Sequence, residues 1–279
     1  MLSGRSDLPD FANPPVIEVA LSFQFERLGS LHASHLGLLW SRFRDRFPKT
    51  EDHPPREPII EQFGVFSPPG VRVQIETVMP VPRAWFLNEA GTELIQVQQD
   101  CFVHNWRKIG VPAEIYPRYE SIRQTFSNEL GVFLRFVEEE GIGKVIPTQC
   151  EITYVNHLVA GEGWDALGEV ECVLAPWSGK YSEPFLPMPE EIRTGIRYLI
   201  PGAQNEPIGR LHVDLVPAVD LKTQRRVFVL TLTARGRPTD EGIDGVLRFL
   251  DKGREWIVRG FAAITTSNMH RVWGRLDAR

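Results

Sequence analysis

The stretch Leu94–Lys108, LIQVQQDCFVHNWRK, concentrates residue types that do chemistry. Read as one alternating strand, it puts Gln96, Gln98, Asp100, Phe102, His104 and Trp106 on one face and Ile95, Val97, Gln99, Cys101 and Val103 on the other. An imidazole beside a carboxylate is the raw material of general acid–base catalysis, and amides beside aromatics are the raw material of recognition. Spacing separates the two. Four strand residues set Asp100 and His104 about 13 Å apart, too far for a base and the group that orients it. A carboxylate for His104, or for His157 on a second such face, must come from a neighbouring strand; Glu18, Glu151 and Asp214 are the candidates.

Other sources of chemistry are thin. The sequence has no G-x-x-x-x-G-K-[ST], G-x-G-x-x-G, G-x-S-x-G or H-E-x-x-H string. GIGK at Gly141–Lys144 reads as a helix C-cap. His32 and His35, one helical turn apart, lack a third ligand nearby and read as surface histidines, so no metal and no cofactor is expected. The cysteines, Cys101, Cys150 and Cys172, include no C-x-x-C pair; Cys101 and Cys150 read as buried, inert thiols. Arg107, Lys108, Arg118 and Arg123 cluster where a strand ends and a helix starts, and read as charges paired with Glu114 and Glu120. The Arg- and Trp-rich C-terminus, from Arg254 to Arg275, reads as a helix docked on the sheet.

The elements that would position these residues follow from periodicity. PVIEVALSFQFE alternates, with Ile17, Val19, Leu21, Phe23 and Phe25 against Glu18, Ala20, Ser22, Gln24 and Glu26, as a half-buried strand does. Leu36, Leu39, Trp40, Phe43 and Phe47 keep helical spacing, and a Pro-rich loop, KTEDHPPREP, comes next. VRVQIETV and RAWFLNE read as strands, and NEAGTE as the turn before LIQVQQDCFVHNWRK. Tyr119, Ile122, Phe126, Leu130, Phe133 and Val137 mark a long helix ended by Gly141. PTQCEITYVNHL then starts the order again, with Glu151 in the place of Glu18 and His157 in that of Gln24. A short helix within WDALGEVECVLAP, three strands and one long terminal helix with Ile243, Val246, Leu250, Ile257, Phe261 and Ile264 on its stripe complete the chain.

The expected fold is α+β, in two similar halves, 1–143 and 144–279, packed as one unit. Each reads strand, helix, three strands, helix: an antiparallel sheet against a long helix. The order resembles the helix-grip and TATA-binding-protein-like folds, which implies nothing about function. If the halves join edge to edge, one sheet carries two long helices on one face and leaves the other open. The binding residues expected there are Glu18, Gln24, Gln96, Gln98, Asp100, His104, Trp106, Glu151 and His157.

Composition sets outer limits. With 42% hydrophobic and 24% charged residues, the chain reads as globular, and a net charge of −5 opposes nucleic-acid or anionic-membrane binding. No apolar run reaches membrane-span length and the N-terminus lacks an apolar signal segment, so a cytoplasmic protein is expected.

Five strings, NPPVIEVALSFQF, ELIQVQQDCFVHNWRK, YPRYESI, QCEITYVNHL and FLDKGREWIVRGFAAITTSNMHRVWGR, resemble a sporadically distributed family of bacterial conserved hypothetical proteins of similar length, from Asn13 to Gly274. The resemblance implies no activity and carries over no catalytic residue. Its patchy distribution implies an accessory role, such as a defence or toxin-immunity module. The expectation is a non-enzymatic binding module that holds a protein partner, a second copy of itself or a small ligand on the open face or in the groove between halves. An enzyme using His104 or His157 is the alternative, and nucleic-acid binding through a saddle-like sheet comes after it.

Overall fold

Alternation in the sequence becomes one continuous sheet. The structure is a computed structural model describing residues 8–64, 80–110, 115–183 and 185–276. In chain order the elements are β1 (Asp10–Phe11), β2 (Val16–Phe25), α1 (Ala33–Ser41), β3 (Lys49–His53), β4 (Arg83–Leu87), β5 (Glu93–Gln98), β6 (Cys101–Arg107), α2 (Tyr119–Glu139), β7 (Pro147–Val159), α3 (Val170–Val173), β8 (Thr194–Pro201), β9 (Pro207–Val219), β10 (Arg226–Gly236), α4 (Gly242–Ile264), α5 (Ser267–Val272) and β11 (Arg275–Leu276). Nine strands form one antiparallel sheet in the order β3-β4-β5-β6-β2-β7-β10-β9-β8, and β1 pairs with β11 apart from it. The architecture is therefore α+β, a large antiparallel sheet with five helices among the described residues. No helix among those residues is long and apolar enough to cross a membrane.

One face of the sheet is apolar because the long helices cover it. Val19, Leu21, Phe23 and Phe25 of β2 point there, opposite Phe102 of β6 and Cys150, Ile152 and Tyr154 of β7. Helix α2 answers with Phe126 and Phe133, whose rings lie 6.0 and 5.1 Å from that of Phe102. Helix α4 covers the same face over β7 and β10. A Cβ at Gly253 would lie 2.7 Å from Ile152, so only glycine lets the helix approach this closely. The two helices are tied by Asp251, which accepts from the Tyr119 hydroxyl at 2.7 Å and from Arg123 at 2.6 and 2.9 Å.

Four expectations change. LIQVQQDCFVHNWRK is not one strand but the hairpin β5–β6, with Gln98 paired to Cys101 across Gln99 and Asp100. That turn uses no positive φ, so it needs no glycine or asparagine and leaves no turn signal. KTEDH is a strand, β3, rather than loop. It is an all-polar edge strand, which gives no hydrophobic alternation to read. The terminal helix breaks at Thr265, whose hydroxyl bonds back to the Phe261 carbonyl at 2.6 Å, and α5 restarts with Thr266 as N-cap. The Arg cluster is spent on other partners: Arg118 on Asp10, Arg123 on Asp251, and Arg107 on the Gly91 carbonyl. The segment VRVQIETV lies outside the described residues.

Candidate peptide-binding face of the sheet

The face away from the helices is built from the other parity. Its central residues are Gln96 and Gln98 of β5, Cys101, Val103 and Asn105 of β6, Glu18, Ser22 and Gln24 of β2, and Gln149, Glu151 and Thr153 of β7. Its outer residues are Arg83 and Trp85 of β4, Thr233 and Arg235 of β10, and Arg210, His212 and Asp214 of β9. Of the residues expected here, Glu18, Gln24, Gln96, Gln98, Glu151 and His157 lie on this face, and Asp100 sits in the hairpin turn beside it.

His104 and Trp106 do not. The hairpin resets the parity, so Ile95 pairs with His104 and Leu21 with His104, all on the helix-covered side. His104 is 1% exposed and its Nδ1 lies 2.7 Å from Oε2 of Glu129 on α2, a residue 4% exposed. Arg46 donates to the other Glu129 oxygen at 2.8 Å. The carboxylate that sequence reasoning sought on a neighbouring strand thus comes from the helix. His104 and Glu129 are buried under α2, and the cluster reaches solvent through the Arg46 side chain. Trp106 packs on Tyr116, ring centroids 5.3 Å apart. His157 is half-buried on the open face, and burial lowers its pKa, partly offset by Asp220.

Two polar constructions remain on the open face. The first is a chain of side chains across three strands: Gln96 donates to Asn105 Oδ1 at 2.7 Å, and Asn105 donates to Glu18 at 2.6 Å. The second is a transverse row. Gln98 pairs with Cys101, Cys101 with Gln24, and Gln24 with Gln149, so three glutamines lie in register across β5, β6, β2 and β7. Burial pushes the Cys101 thiol between them up to about 12, so it stays protonated.

This row holds a strap of the chain's own backbone, residues 54–63. Gln98 accepts from the Arg56 amide at 3.1 Å and donates to the Arg56 carbonyl at 2.9 Å. Gln24 donates to the Ile59 carbonyl at 3.0 Å, and Gln149 accepts from the Glu61 amide at 3.1 Å. From Gln98 to Gln24 the strap crosses two inter-strand spacings in three residues, about 3.2 Å per residue, close to a fully extended chain.

The far end of the strap is fixed by charge. Glu61 is 4% exposed. One oxygen meets His212 Nε2 and, at 3.4 Å, Arg235 Nη1; the other meets Arg210. Burial alone would raise its pKa, but the hydrogen bond from His212 and the charges of His212, Arg210 and Arg235 outweigh it and hold the carboxyl below its usual range. Arg210 also donates to the Gln62 carbonyl at 3.0 Å and lies over the Phe63 ring, and Arg235 bonds Glu151 as well.

Sequence reasoning missed Glu61, Gln149, Arg210, His212 and Arg235. A cavity of about 410 Å³ also opens between α2 and α4, lined by Tyr119, Glu120, Arg123, Gln124, Asp251 and Arg254, and most of its charges are paired with one another. Among the described residues no group of His, Cys, Asp and Glu is arranged to hold a metal ion, and His32 and His35 are engaged in capping α1. Compared with protein-family models, curated proteins and solved structures, the chain matches none.

Proposed function

We propose that the chain is a binding module whose polar sheet face takes an extended, acidic segment of a protein partner, and that its own strap is the resting occupant. The observation that carries this reading is the glutamine row. Its amides answer main-chain groups at Arg56, Ile59 and Glu61, while one carboxylate-specific pocket answers a single side chain. Main-chain bonds give affinity to any extended peptide, and the pocket gives selectivity. The family resemblance supports a place in a bacterial accessory or defence system. The strand order on either side of the β2–β7 junction supports reading 1–143 and 144–279 as duplicated halves in a TATA-binding-protein-like arrangement.

The test replaces residues 55–62 by a Gly/Ser linker and adds the strap sequence PREPIIEQF as a labelled peptide. Fluorescence anisotropy is expected to show saturable binding to the strap-replaced chain and much weaker binding to the intact one. No binding to either, with the replaced chain folded by circular dichroism, contradicts the reading.

A further inference from the structure

At the β4 end of the glutamine row, polar atoms are left unanswered and all are donors. Arg83 is 7% exposed, and its Nε and Nη1 are buried without a hydrogen-bond partner. Beside it, 5.4 Å from guanidinium carbon to ring, lies Trp85, whose Nε1 is also buried and unpartnered. Arg56 is close enough that its charge lowers the Arg83 pKa, second to burial itself. Glu51, opposite Trp85 on β3, lies 3.0 Å from His53 Nε2, and Asp100 accepts from Gln98 at 2.5 Å. His53 in turn packs on Trp85 with ring centroids 4.0 Å apart, which fixes the indole in place. Among the described residues neither Arg83 nor Arg56 pairs with an acidic side chain.

A buried guanidinium without a counter-charge is costly, and buried donors are normally satisfied. The deficit here has one sign and one chemistry: positive charge and N–H groups, with no acceptor left over. A neutral acceptor satisfies the N–H groups but leaves the charge uncompensated, and a cation answers neither; an anion answers both. We infer that Arg83 and Trp85, with Arg56 beside them, form an oxyanion-binding site that takes a carboxylate or a phosphate group. Nε–H and Nη1–H leave different edges of the planar guanidinium, so an oxyanion takes a charge-assisted hydrogen bond from the edge it meets, and the indole N–H supplies a further donor. The site shares Arg56 with the strap, while its two unanswered side chains, Arg83 and Trp85, belong to β4.

The experiment uses the full chain with inorganic phosphate and with acetate as probes, each against chloride at equal ionic strength. Thermal denaturation and calorimetric titration are the readouts. A saturable rise in Tm is expected with phosphate, acetate or both, and which of the two acts identifies the group preferred. Arg83→Met is expected to abolish the rise while leaving Tm in chloride unchanged or higher, since it removes an unanswered buried charge. Trp85→Phe keeps an aromatic ring but loses the indole N–H together with the volume of the pyrrole ring, and is expected to weaken binding about tenfold. The inference is overturned if neither anion acts beyond chloride, or if Arg83→Met responds like the unsubstituted chain. If Arg83→Met does not fold, unchanged affinity in Trp85→Phe overturns it.

Discussion

Glu61 and Arg83 are both charged and both nearly sealed from solvent on the same face of one sheet. Glu61 is answered three times over, by Arg210, Arg235 and His212. Arg83 is answered by no carboxylate among the described residues. Burial costs a charge the same kind of penalty in either place, so the two ends differ in where compensation comes from. At Glu61 it is supplied within the chain, and the strap is thereby pinned. At Arg83 it is left to a ligand.

That contrast is sharpest in stability. Glu61→Ala takes the shared carboxylate from His212, Arg210 and Arg235, leaving Arg235 with Glu151 and Arg210 with the Gln62 carbonyl, and is expected to cost about 3 kcal/mol in urea denaturation. A loss of surface size, about 0.5 kcal/mol or less, would break the comparison.

Acid should erode the same contribution. The Glu61 carboxyl titrates below its usual 4.5, so its stabilisation is complete above that value and is lost as pH falls through the lowered one. The stability gap between the natural chain and Glu61→Gln is therefore expected to hold at neutral pH and to shrink on acidification below the usual carboxylate range. A gap that widens there contradicts the assignment.

The glutamine row comes next in size. Gln98→Ala removes both bonds to the Arg56 main chain and the bond to Asp100, and is expected to cost about 1–3 kcal/mol. Protease cleavage within 54–63 should quicken in proportion, and unchanged cleavage would mean the strap is held without Gln98, by Gln24, Gln149 and the Glu61 end. The smallest effect is expected at Arg83→Met in chloride, within about 0.5 kcal/mol of zero or favourable.

Much of the scaffold was legible in the sequence because burial on one side leaves alternation behind. Strands β2, β7, β9 and β10 and both long helices follow from it. The face assignment of His104 and Trp106 failed for a local reason. A two-residue turn of Gln99 and Asp100 without positive φ continues the alternation by eye while reversing the chain. Gln24, Gln98 and Glu18 could be placed on the open face, but what they hold could not, since the strap reads only as a Pro-rich loop. Glu61 carries no signal of burial in a window of mixed polarity. Glu129 does: it falls on the apolar stripe of α2 between Phe126 and Phe133, and a carboxylate there calls for a buried partner.

The most direct test is a ratio of two affinities for the strap-replaced chain, measured by anisotropy with the strap peptide carrying glutamate at position 61 and with the same peptide carrying glutamine there. If the face reads an extended main chain and one buried carboxylate, glutamate binds about a hundredfold more tightly or better. Equal affinities would contradict the claim that Glu61 marks the specificity pocket of a peptide-binding face.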